Sequence, residues 1–161
     1  MRFSQWVIRT YIELGEIEKA NNLIDSLHKY ALEVKDKLLV ATADALMGML
    51  FRAQKKWKES IEHFEKSIQE FETLNARRWN VYFFAKMILY EYARVYLERK
   101  QEGDREKALN LLNQALEIFQ KLGAKKEIEK IIAKKKLLQP KVTKLRNKES
   151  CLTSATTIAK C

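Results

Sequence analysis

Breakers of regular structure are scarce in this chain: 161 residues hold one Pro and four Gly. Good helix formers are plentiful, so the composition reads as nearly all-α. Cysteine is almost missing. Cys151 and Cys161 fall at the far end, outside any periodic pattern, where they cannot staple folded elements together. They fit a reducing compartment or an incidental tail. Long apolar runs are missing as well. The strongest, Val81 to Tyr90, is interrupted by Lys86 and falls short of the roughly 20 residues a membrane span needs. Met1 to Trp6 show neither a long apolar core nor a cleavage site, so a cytoplasmic location is expected.

Catalytic signatures are lacking too. There is no glycine-rich phosphate loop, no His-Glu-x-x-His and no Cys-x-x-Cys. His28 and His63 would need to face each other, with Glu33 or Glu59, to bind a metal. Solvent-exposed histidines on an outer helix face are the simpler reading. Cys151 has no ordered neighbourhood to lower its pKa. The expectation is a non-catalytic protein with no cofactor and no metal.

Charge is abundant but uneven. The formal net charge is +10, and the stretch 121–149 holds eleven Lys/Arg against three Glu, so most of the excess sits at the C-terminal end. What precedes it is nearly balanced, with spacing-four pairs such as Glu62 and Lys66 that suit solvated helix faces.

Against these absences stands a recurrence. Gly15-Glu16-Ile17-Glu18-Lys19-Ala20 is answered by Lys55-Lys56-Trp57-Lys58-Glu59-Ser60 and by Gly103-Asp104-Arg105-Glu106-Lys107-Ala108. Each copy follows an amphipathic segment, makes a short polar turn and opens a second helix at a small residue. Periodicity predicts hairpins over about 2–34, 37–74 and 77–122, followed by a capping helix over 125–138. In the first hairpin Phe3, Trp6, Val7 and Tyr11 line one face, opposite a helix carrying Ile17, Ala20, Leu23, Ile24, Leu27, Ala31 and Val34. Gly48 in mid-helix costs about 1 kcal/mol relative to Ala, and close approach of the partner helix is the expected return. A single long helix is expected from Arg77 to Lys100, and Gly103 followed by Asp104 offers a stop and then an N-cap. The capping helix sets Ile128, Ile131, Ile132 and Leu138 against a largely lysine face. Residues 139–161 read as a basic, disordered tail after Pro140.

These positions resemble the tetratricopeptide repeat. The first helices carry Ile8, Gly48 and Ala93 where that family has a small residue, with Tyr11, Phe51 and Tyr96 three later. The second helices carry Ala20-Ile24-Leu27, Ser60-Phe64-Ser67 and Ala108-Leu112-Ala115. Ile8 and Leu27 depart from the pattern by size, which would splay the first hairpin. From Ala20 to Ser60 is 40 residues and from Ser60 to Ala108 is 48, against about 34 in the usual repeat. That is similar to the extended repeats of sensory regulators and signal-transduction ATPases. The resemblance implies an all-α, right-handed superhelix of three hairpins plus a capping helix, within a domain spanning 1–138.

The resemblance also implies a binding groove lined by first-helix positions. These fall on Arg2, Gln5, Arg9 and Glu13, on Thr42, Ala45, Met49 and Arg52, and on Met87, Tyr90, Arg94 and Leu97. Arg9, Arg52 and Arg94 beside Met49 and Tyr90 would suit a protein or peptide partner that is acidic with apolar anchors. The bland alternative is that some of them pack against the next repeat. The family's two-carboxylate clamp for chaperone tails is not matched, because its positions hold Gln5, Arg9, Met49 and Glu91.

A second candidate surface is the Lys-rich end. Lys125, Lys126, Lys130 and Lys134, with Lys141, Lys144, Arg146 and Lys148 beyond, could neutralise the phosphates of nucleic acid or an anionic membrane. No aromatic interleaves with them, so base stacking is unsupported, and a solvated helix face is the simpler reading. Finally, Phe3, Trp6 and Val7 would leave an apolar edge bare. Such an edge would pair with a second copy of the chain, or would be covered if the chain is part of a longer regulator.

Overall fold

The structure, a computed structural model, describes residues 2–74 and 78–138. The tail with both cysteines, and the side chains of residues 2–4, 78–80 and 85, lie outside the described residues, and so do the expectations for the tail, for Arg2 and for Phe3. The described residues are all-helical: α1 Arg2–Glu13, α2 Ile17–Glu33, α3 Lys37–Ala53, α4 Trp57–Glu72, α5 Arg78–Phe83, a π-helical segment Phe84–Leu89, α6 Tyr90–Arg99, α7 Asp104–Leu122 and α8 Lys125–Leu138.

One turn recurs along the chain. Glu16 N–H donates to the Tyr11 carbonyl and Gly15 N–H to that of Ile12, with Gly15 at φ 75°. The same pair of bonds closes the turns at Lys35–Asp36, Lys55–Lys56 and Gly123–Ala124. This is the Schellman end, which satisfies the last carbonyls of a helix and needs a left-handed residue. Glycine takes that conformation without a Cβ clash, whereas Lys35 and Lys55 hold it at φ 54° and 59°. A connection of three residues, or two between α7 and α8, then leads into the next helix. Asp36 adds an N-cap that the sequence pattern did not single out, accepting from Leu38 N–H at 2.9 Å and Leu39 N–H at 3.2 Å.

Side-chain bonds fix the register of the second hairpin. Ser60 Oγ donates to the Gly48 carbonyl at 2.7 Å and Ser67 Oγ to the Ala41 carbonyl at 2.6 Å. As α4 advances from 60 to 67, its partner recedes from 48 to 41, so the helices run antiparallel. The close approach leaves no room at Gly48: a Cβ there would stand 2.8 Å from the Phe64 ring. Phe64 is itself buried and stacked on Tyr92, ring centroids 5.3 Å apart. Tyr92 shares a 2.8 Å hydrogen bond with Tyr96 and donates to Glu65. Burial, reinforced by those bonds, pushes its hydroxyl pKa well up.

Helices α1 to α4 pack each on the next, as do α6 to α8, while α4 meets α6 and the π-helical segment; α1 touches α3 and α3 touches α6, so the first helices of the hairpins adjoin one another. The core is the buried set between them. All nine positions of the second-helix trios are in it, and so are Ile8, Gly48 and Ala93. Ile8 and Leu27 are both buried, so their size is accommodated within the first hairpin.

Three expectations are corrected. The buried face of α1 is Ile8 and Ile12, with Trp6 and Val7 exposed as the bare edge expected of them; Leu23 on α2, Val34 just beyond it and Ile132 on α8, expected on apolar stripes, are exposed as well. The helix expected from 77 to 100 is interrupted by a π-helical segment, whose wider turn re-aims the residues it carries. Asp104 does not cap α7. It lies within the first turn and reaches back to Arg99 and to Gln101 N–H, at 2.8 Å from the latter. Those hydrogen bonds, Arg99 first, outweigh burial and hold its carboxyl below the ordinary value.

Candidate functional site

The first helices bring Arg9, Arg52 and Arg94 together, and the group that gathers them is Glu91. Its Oε1 accepts from Arg9 Nη2 at 3.2 Å; its Oε2 lies 2.9 Å from Arg94 Nη1 and 3.6 Å from Arg52 Nη2. Glu98 pairs with Arg52 and, at 3.5 Å, with Arg94. Glu91 is only 3% exposed and Arg52 only 8%. Three guanidinium groups surround this buried carboxylate and offset the cost of taking it out of water. The cluster thus ties α1, α3 and α6 to one point.

This alters what the arginines offer. Met49 is buried, and Arg52 is spent on Glu91 and Glu98 inside the packed face, so neither stands open to a guest. Ala45 is buried as well. Arg9 and Arg94 remain part-exposed. Together with Tyr90 they line a cavity of about 280 Å³ that also touches Glu127, Lys130 and Ile131.

A larger cavity, about 600 Å³, opens beside the cluster between α1, α3, α5 and the π-helical segment. Gln5, Trp6 and Arg9 come from α1; Leu38, Leu39 and Thr42 from α3; Tyr82, Phe83, Lys86 and Met87 from the third hairpin. Gln5, Arg9, Thr42 and Met87 were expected at the groove. Trp6, Leu38, Leu39, Tyr82 and Lys86 were not. One signal was present, since Lys86 is the lone charge in the apolar run Val81–Tyr90 and a lysine there must find an opening or a partner. Its ammonium reaches Glu127 at 3.4 Å and lies 6.0 Å from the Trp6 ring centroid. Burial alone would push the Glu127 carboxyl up. Hydrogen bonds from Tyr82 and Lys86, together with the charges of Lys86 and Lys130, outweigh burial and hold it below the ordinary value.

On α8, Lys125, Lys126 and Lys130 are exposed and Lys134 is half-buried. Lys135 donates to Asn113, which docks this helix on α7. His63 is part-buried, unlike the exposed histidine expected. Its Nδ1 lies 2.9 Å from Asp44 and its ring stacks on Phe51. Among the described residues no group of three His, Cys, Asp or Glu is placed to hold a metal ion, and no helix is long and apolar enough to cross a membrane. Comparison with protein-family models, with curated proteins and with solved structures finds no match to this chain.

Proposed function

We propose that the chain is a non-catalytic scaffold that binds a segment of a partner protein on the face made by its first helices. In this reading the hairpins form a right-handed, tetratricopeptide-like superhelix of the extended kind, closed by α8. Burial of the three second-helix trios and of Ile8, Gly48 and Ala93 supports that arrangement, because those are the positions where such hairpins pack. The observation that carries the binding reading is the cavity of about 600 Å³ among α1, α3 and α5. Its size falls within the range of ligand pockets, and residues of three helices and the π-helical segment line it. The Glu91 cluster beside it ties α1 and α3 to α6, so that side of the face is preformed and a guest meets less ordering cost. The test is site-specific photo-crosslinking in native lysate. A crosslinker at Gln5, on the cavity rim, should capture a defined protein that one at Glu62, on the exposed side of α4, does not.

A further inference from the structure

We infer that the cavity between α1, α3 and α5 is an anchor pocket for an acidic amphipathic helix of a partner protein, its carboxylate read by Lys86 and Arg9. The inference rests on the scaffold reading above and adds the chemistry of the guest. Trp6, Leu38, Leu39, Phe83 and Met87 give the pocket apolar walls, with room for more than one large side chain. Two apolar residues one helical turn apart would enter together, as in helix-in-groove recognition.

The charge of the guest follows from the two cations. Among the described residues, the lining holds Arg9 and Lys86 and no carboxylate. Arg9 holds Glu91 through Nη2, but each cation keeps donors whose present acceptors are weak or distant. Arg9 Nη1 donates to the Met87 thioether sulfur at 2.9 Å, and a thioether is a weak acceptor. Lys86 Nζ reaches Tyr82 Oη only at 3.5 Å and Glu127 Oε1 at 3.4 Å, beyond the usual N–H···O range of about 2.7–3.2 Å. Both lie over the Trp6 ring, which is 61% exposed, at 5.8 Å and 6.0 Å from its centroid. A guest carboxylate would supply a charge-assisted acceptor to each, while a guest leucine or phenylalanine would cover Trp6. A basic guest is repelled by the same pair. A neutral one would press hydrocarbon against two incompletely solvated charges, which is costly. Glu91 behind Arg9 and Glu127 behind Lys86 keep the cations aimed without filling the pocket.

The experiment uses three short synthetic helical peptides with leucines at i and i+4, differing only in whether the adjacent positions are glutamate, glutamine or lysine. Isothermal titration into the full chain should show the glutamate peptide binding roughly tenfold tighter than the glutamine peptide, with the lysine peptide weaker still. Lys86→Met should shrink the glutamate advantage severalfold, leaving only what Arg9 supplies, and Trp6→Ala should weaken the glutamate and glutamine peptides alike. Arg9→Met also breaks the tie to Glu91, so Lys86→Met and Trp6→Ala carry the test, with helicity checked by circular dichroism. Equal binding of glutamate and lysine peptides, indifference to both substitutions, or no binding by any peptide would overturn the inference. If the peptides fail while crosslinking from position 5 persists, the guest chemistry is wrong and the scaffold reading stands; if both fail, the scaffold reading falls too.

Discussion

Replacing Gly48 by Ala tests the packing that sets the register of the second hairpin. In an exposed helix interior this change stabilises by about 1 kcal/mol, because glycine gives up the most backbone freedom. Here the new Cβ would lie 2.8 Å and 2.9 Å from two atoms of the Phe64 ring. Ordinary carbon contacts begin near ~3.5 Å, so the ring or the helix must retreat by about 0.7 Å. The ring has nowhere to go, since it is fully buried and backed by Tyr92. The helices are pinned by the Ser60 and Ser67 hydroxyls on the carbonyls of Gly48 and Ala41. Overpacking of this kind costs about 1–3 kcal/mol. Because neither ring nor helices can retreat, the upper part of that range applies, and after the propensity gain of about 1 kcal/mol Gly48→Ala should lose about 1–2 kcal/mol in urea denaturation followed by far-ultraviolet circular dichroism. The companion variant Phe64→Leu should reduce that penalty in a double-mutant cycle. A Gly48→Ala protein as stable as the parent, or more stable, would refute the packing argument.

Two further outcomes follow from buried charge. Glu91→Gln keeps the shape but removes the charge facing three guanidinium groups, one of them on the buried Arg52. A loss of about 3 kcal/mol is expected in urea denaturation, whereas Arg94→Gln, on the part-exposed side, should cost less than ~1 kcal/mol. Asp104 supplies a pH test. Its carboxyl is held below the ordinary 3.8 in the folded chain, so its contribution is present above that value and is lost as pH falls through the lower folded pKa. Asp104→Asn should therefore be less stable than the parent near neutrality, with the gap closing below pH 3.8. A gap that stays constant down to strong acid would contradict this.

Much of the helical layout was legible because it is local. Turn residues at Gly15, Lys55 and Gly103, and apolar spacings of three and four, mark hairpins without knowledge of tertiary contacts. Gly48 was legible for a related reason, since a mid-helix glycine demands a compensating close approach. The π-helical segment was not. The run Val81–Tyr90 is apolar on almost every side and carries no phase by which a widened turn could be noticed. The Glu91 cluster was hidden for another reason. Residues 9, 52 and 91 meet only through the stacking of three hairpins, and nothing local distinguishes a buried glutamate from a solvated one. Arg52 therefore reads as a groove cation from its position, while the structure turns it into a tie. Lys86, which interrupts an apolar run, carried the one local hint of the pocket.

The central claim is that the first-helix face is where a partner docks. Its most direct test is the ratio of partner crosslinks formed from position 5, on the rim of the pocket, to those formed from position 62, on the exposed side of α4. The account predicts a defined partner captured at position 5, competed away by the glutamate peptide, with little or nothing at position 62. Equal capture at both positions, or capture at position 62 alone, would contradict it.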